Sequence, residues 1–185
     1  MTDLSFSQAE RRNPAVTILI AFAVLAIIAA LIFYFNPHDT AALAVSNTSA
    51  IPTHTVFKSN TTEVNVTPAA EDNLYILTTL KVDDHLRLPI TIDTINLNLI
   101  TADGQQTTTG AATSTDLPAI FTAFPQLKPL QAPPLLRETE IAPGQSAQGQ
   151  LVFEFPITQD LWDKRKSATI TLSLYHQTPI TIKIP

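Results

Sequence analysis

The chain reads as an all-β protein, an antiparallel sandwich of about seven strands preceded by one transmembrane α-helix. Three observations carry this. Residues 14–35 form an uncharged, almost wholly apolar run. From residue 74 onward, apolar side chains recur at every second position, the period of a half-buried strand. No segment beyond residue 35 sustains the apolar stripe of a long amphipathic helix.

The first element is the apolar run, Pro14 to Phe35. At 1.5 Å per residue it reaches roughly 33 Å as a helix, enough for a hydrocarbon core of about 30 Å. It holds no ionisable residue, so it reads as a tether without an ion path. Tyr34 suits the membrane–water boundary, and Asn36-Pro37 ends the helix. Arg11 and Arg12 precede the run, whereas His38 and Asp39 follow it. The positive-inside rule therefore makes residues 1–13 a cytoplasmic tail. Everything after the span is expected outside the cell (inner) membrane, periplasmic or extracellular. Ala42-Leu43-Ala44 has the small-x-small form that signal peptidase accepts. The apolar run is longer than the about 7–15 residues of a signal-peptide core, which favours an uncleaved signal-anchor.

Residues 36–52 are rich in Ala, Ser, Thr and Pro without sustained periodicity, and they read as a flexible linker to a domain at 53–185. Within that domain, residues 55–57 and 62–66 are weaker strand candidates. Leu74, Ile76, Leu80 and Val82 alternate with polar neighbours, as do Ile95, Leu97 and Leu99. Further alternation runs through Leu151, Phe153 and Phe155, then Ile170, Leu172 and Leu174, then Ile180, Ile182 and Ile184. Asp103-Gly104, Pro143-Gly144 and Pro179 punctuate the runs as turns. Ile90 and Ile92 are even-numbered, whereas Ile95, Leu97 and Leu99 are odd. The inward face changes parity across Asp93-Thr94, which implies either a bulge or a break between two strands, the break costing less strain if the chain crosses between sheets there.

Composition excludes several functions. With no cysteine, disulfides, thiol catalysis and cysteine metal sites are ruled out, and the exported domain depends on its core. A disulfide-free exported domain favours a bacterial envelope protein. The tail is formally neutral, so the exported part carries the net charge of −5, which is unsuited to nucleic acid. Four glycines leave no phosphate-cradling loop. Gly144–Gly149 is one residue too long for a nucleophile elbow and precedes a strand. Asp83-Asp84-His85 are consecutive, and neighbours on a strand face opposite ways, so a solvated turn is the expectation. No catalytic, cofactor-binding or metal-binding residues are expected, nor an enzyme.

Two segments could carry an interaction. Residues 117–137 combine five prolines with many apolar side chains, and Asp116 is placed to cap a short helix. Ile120, Phe121, Phe124, Leu127 and Leu130 form the candidate partner or ligand surface, because the prolines bar a central strand. The other expectation for this segment is that it plugs an open edge or end of the sandwich. In the second segment, Thr158 starts a brief helix carrying Leu161 and Trp162, followed by Lys164, Arg165 and Lys166 as a candidate contact for anionic headgroups.

Two blocks resemble a family of bacterial exported immunoglobulin-like domains of unknown function, often lipoproteins or anchored by one helix. The first is YILTTLKVDDHLRLPITIDTINLNLITADGQQ at 75–106, where LITADG stands at the place of the family's "x-L-x-D-x-D-G" ending and loosely resembles it. The second, IAPGQSAQGQLVFEFP at 141–156, is similar to the signature "l-x-P-G-x-x-x-x-G-x-l-v-F-x-v-P". Together they cover 48 of 185 residues. Asp83-Asp84 stand where the family usually has Asn, and a long insertion separates the blocks. The resemblance implies an immunoglobulin-like β-sandwich and an exported location, and it brings no catalytic residues. The expected function is a membrane-anchored binding or structural module with a protein partner. The alternative is a carrier or sensor of an apolar ligand held under residues 117–137. Partner identity and oligomeric state are left open.

Overall fold

Pro14–Phe35 forms one helix, α1, in the computed structural model, which describes residues 14–35, 40–57 and 69–185. Its stretch Ala15–Tyr34 has a mean hydropathy of 3.1 and is long and apolar enough to cross a membrane. The tail 1–13 and the strand candidate at 62–66 lie outside the described residues. Asp39–Pro185 forms a second compact unit.

That unit is built from eight strands among the described residues: β1 (Ala41–Phe57), β2 (Ala69–Asp84), β3 (Ile90–Ile100), β4 (Gln106–Gly110), β5 (Glu140–Ile141), β6 (Ser146–Phe155), β7 (Ser167–Leu174) and β8 (Ile180–Ile184). One sheet has the order β1-β2-β6 and the other β4-β3-β7-β8, with β5 also pairing β3; every strand pairing is antiparallel. The inward residues of the two sheets make the core, including Leu74, Ile76, Leu80, Leu97, Phe153, Phe155, Ile170 and Leu172. Burial of these apolar side chains is the main force holding a disulfide-free domain together.

Residues 41–52 are not a flexible linker. They form most of β1, and Ala41 to Ser46 pair with Asp84 to Thr79 of β2. Leu43, Val45 and Ala50 pack against the core. Their parity changes because the register shifts between Ser46 and Ser49, where Asn47 adopts a left-handed φ of 52°. Asn tolerates that region better than most residues, so a bulge fits there. The bulge hides the period of two in the sequence. Thr78 closes it, its hydroxyl donating to Ser46 O at 3.2 Å.

At Asp93-Thr94 the bulge is found rather than the break. Strand β3 runs unbroken, and its pairing with β7 shifts between Ile92 and Thr94. Ile90, Ile92, Ile95, Leu97 and Leu99 are therefore all buried despite their mixed parity.

The strand register also defines two ends. At the near end the chain arrives at Thr40, whose carbonyl accepts His85 N, while Asp84 N donates to Gln145 O. The β7–β8 turn joins this end, because Tyr175 N donates to Thr91 O at the start of β3. Helix α3 (Gln159–Asp163) and the 101–105 turn lie at the far end, where Lys166 N donates to Ile100 O. Nine residue steps of β2 separate Leu74 from Asp83, which puts the ends about 30 Å apart.

Candidate functional site

The two outer faces of the sandwich differ. On β2 and β6, Tyr75, Leu77 and Val152 face outward yet are buried. Helix α2 (Asp116–Ala123) and a 3-10 turn at Pro125–Leu130 cover them. Phe121 and Leu127 are buried against this face, and Ile120 and Phe124 are half-buried. The Tyr75 and Phe124 rings stand 5.0 Å apart and tilted by 46°, a favourable aromatic arrangement. Of the five residues expected as a partner or ligand surface, only Leu130 is exposed. The physical reason is complementarity: an apolar outer face on β2 and β6 requires apolar cover, and residues 117–130 provide it. The segment thus lies over a sheet face, and its last part also closes an edge as expected, because Pro134 bridges Gln150 of the edge strand β6 in parallel.

Asp116 helps set the helix start. Its carboxylate accepts from Thr113 N at 3.1 Å and from the Thr113 hydroxyl at 2.6 Å. These hydrogen bonds hold its pKa below the ordinary carboxylate value. Beyond the 3-10 turn, Gln150 of β6 pins the returning chain. Its side-chain amide donates to Leu130 O at 2.6 Å, and its carbonyl oxygen accepts Ala132 N at 3.0 Å. Its backbone N donates to Pro133 O, and its backbone O accepts Leu135 N. Gly149 lets this strap pass. A Cβ at that position would stand 2.6 Å from the Pro134 carbonyl carbon.

After the strap the chain rejoins β3 and leaves an open cleft of about 340 Å³. Its floor is Thr94, Ile95 and Asn96; residues 110–114 form one wall and 135–138 the other. Ala111 N donates to Ile95 O on the first side. On the second, Glu138 N donates to Ile92 O, and Ile92 N donates to Thr139 O. Glu138 holds a left-handed φ of 64°, a costly conformation for a residue other than glycine. The Arg137 guanidinium lies 3.5 Å from the Asp93 carboxylate, and Tyr175 and then Asp93 raise its pKa above the ordinary guanidinium value. The β3 bulge, the strained Glu138 and a held cation thus meet at one opening. Bulges and backbone strain concentrate at functional sites. The sequence signal was the parity change at Asp93-Thr94, which marks the bulge but does not reveal that residues 110–114 and 135–138 flank it.

Two further features share the wall at 110–114. A cleft of about 380 Å³ lies between that wall, Asp116, Ile120 and Glu154. A mainly apolar pocket of about 270 Å³ lies under the strap, between Leu117, Phe121, Ala132, Pro134 and Val152.

The basic triplet does not act as one patch. Lys164 pairs with Asp160 at 2.8 Å. Arg165 stacks over Trp162, 4.0 Å from the ring centroid, and donates to the carbonyls of Trp162 and Pro185. Burial holds its pKa below the ordinary guanidinium value. Lys166 faces the Gly104 turn. All three stand at the far end. Asp83, Asp84 and His85 also diverge: Asp83 pairs with Lys81 at 2.6 Å, Asp84 is buried and His85 is exposed.

The described residues define a β-sandwich with an apolar N-terminal helix. No protein-family model and no curated protein matches the chain. Among solved structures it is similar to the yjhA protein of Bacillus subtilis, at 9% identity over 79% of this chain and 92% of that chain, with a TM-score of 0.43. It is also similar to an uncharacterised β-sandwich protein of Clostridium difficile 630, at 11% identity over 80% and 88% of the two chains, TM-score 0.39. A third similarity is to the structural-genomics target SoR45, at 9% identity over 79% and 83%, TM-score 0.38.

Proposed function

We propose that this chain is a single-pass, membrane-anchored immunoglobulin-like domain on the outer side of a bacterial inner membrane, acting as a binding module for a protein partner. The observation that carries the binding role is the cleft over Thr94–Asn96, where the β3 bulge, Glu138 and the Arg137–Asp93 pair converge. The strand order β1-β2-β6 facing β4-β3-β7-β8 supports the immunoglobulin-like reading, in which a three-stranded sheet packs on a four-stranded one; the two-residue β5 beside β3 is a fifth strand of the second sheet here. The uncleaved anchor is supported by β1. Cutting after Ala44 would remove Ala41–Ala44, which pair with Lys81–Asp84. An open cleft suits a side chain or loop from a partner better than a ligand that must be enclosed. The carrier reading rests on the smaller apolar pocket under the strap.

Photo-crosslinking in living cells tests the proposal. A benzoyl-phenylalanine replacing Ser114 is expected to yield one discrete protein adduct, and the cleft-filling change Ala111→Phe is expected to abolish it. A crosslinker replacing exposed Lys183 serves as control. Equal adducts from residues 114 and 183, or an adduct insensitive to Ala111→Phe, would overturn the cleft as the contact.

A further inference from the structure

We infer that the near end of the sandwich rests on the lipid surface through the loop 85–89, with the β7–β8 turn beside it; the inference depends on α1 being membrane-embedded, as proposed above. Outside α1, the described large apolar side chains left exposed are Leu88, Leu130, Leu161 and Tyr175. Leu88 is the most exposed of these at 73%, and it shares the near end with Tyr175 at 41%. Asp84 shapes the loop: its Oδ1 accepts Leu86 N at 2.8 Å. Leu86 thereby turns back onto the core, while Arg87, Leu88 and Pro89 are left exposed. An exposed leucine beside an arginine, with a tyrosine on the neighbouring turn, is the chemistry of a membrane interface.

Chain length makes lipid the occupant. From Phe35 to Thr40 there are five residue steps, which span at most about 18 Å whatever their conformation. Thr40 is hydrogen-bonded to His85 at the start of the loop. A helix embedded in the bilayer therefore holds this loop within reach of the headgroups. Tethering raises the effective concentration of the bilayer at the loop, so a contact too weak to recruit a free domain is still populated. With His85 and His176 neutral at pH 7, the near end carries Arg87 and Arg137 against Asp83, Asp93, Glu138 and Glu140, a net side-chain charge of −2, so net charge does not draw it to anionic lipid. The contact is accordingly mainly apolar, with Arg87 meeting anionic headgroups. The Lys164–Lys166 end stands about 30 Å away and takes no part.

The test uses the full chain in phosphatidylcholine–phosphatidylglycerol vesicles. Because the chain has no cysteine, single labelling sites can be introduced cleanly. Environment-sensitive fluorophores are placed at Thr178→Cys on the near end, Gln105→Cys at the far end, and Leu25→Cys in α1. Lipids spin-labelled at the headgroup should quench the 178 label several-fold more than the 105 label. Leu88→Asp should bring the 178 label down to the level of the 105 label. If the label at 25 is quenched by deep spin labels while those at 178 and 105 behave alike, the anchor stands and this inference is overturned. If the label at 25 is unquenched, the anchored reading falls and the inference with it. Shielding of the 178 label only after addition of envelope proteins would assign this end to a protein partner and overturn the lipid contact.

Discussion

Replacing Gln150 by alanine removes two hydrogen bonds at once from the strap that closes over the outer face of β2 and β6. The amide lies 2.6 Å from Leu130 O and 3.0 Å from Ala132 N. A hydrogen bond of this kind contributes roughly 1 kcal/mol net, and a partner left buried and dry costs more. Leu130 and Ala132 are both exposed, so water replaces the lost partners. The expected loss is therefore about 1–2 kcal/mol rather than the full desolvation cost. For a domain of this size that lowers Tm by about 2–8 °C. Trp162 is the single tryptophan of the chain and is buried, so its fluorescence follows unfolding of the sandwich in detergent-solubilised full chain. Hydrogen exchange at Ala132 should accelerate well before global unfolding, because the strap opens locally. An unchanged Tm together with unchanged exchange at Ala132 would refute the assignment of Gln150 as the pin.

Gly149→Ala places a Cβ 2.6 Å from Pro134 C and 2.8 Å from Leu135 Cα, both backbone atoms, and should destabilise by about 1–3 kcal/mol in the same fluorescence melt. Burial, followed by the nearby Glu154 carboxylate, pushes the Tyr75 phenol above its ordinary pKa of 10.0. The fold thus holds the neutral phenol, so its contribution is complete below pH 10.0 and is lost as pH rises past that value. Tyr75→Phe should flatten this alkaline limb in urea unfolding measured against pH. Asp116 has the opposite sign, because hydrogen bonds from Thr113 depress its pKa below 3.8. Its contribution is present above that value and lost as pH falls below it, so Asp116→Asn should remove that part of the acid limb.

The period-two runs at 74–82, 95–99, 151–155, 170–174 and 180–184 were legible because each keeps one parity across its buried face. Strand β1 was not. Its apolar positions are small or sparse, and the Asn47 bulge switches their parity midway. The bulge in β3 was legible as a parity change because isoleucine and leucine flank it on both sides. The apolar segment 117–130 announced that it covers something, but its target was hidden. Tyr75, Leu77 and Val152 sit within strands whose apolar residues on both faces look like ordinary core. The candidate cleft was the least legible feature. Residues 94–96, 110–114 and 135–138 meet only through pairing across distant segments, and Arg137 stands out only once Asp93 and Tyr175 are placed beside it.

The proposed delivery of the sandwich to the outer side of the membrane is tested most directly by a membrane-impermeant maleimide applied to intact cells. Gln105→Cys should be labelled without permeabilisation, whereas Ser5→Cys should be labelled only after it. Labelling of Ser5→Cys in intact cells with Gln105→Cys protected, or release of the chain from membranes by alkaline carbonate, would contradict the account.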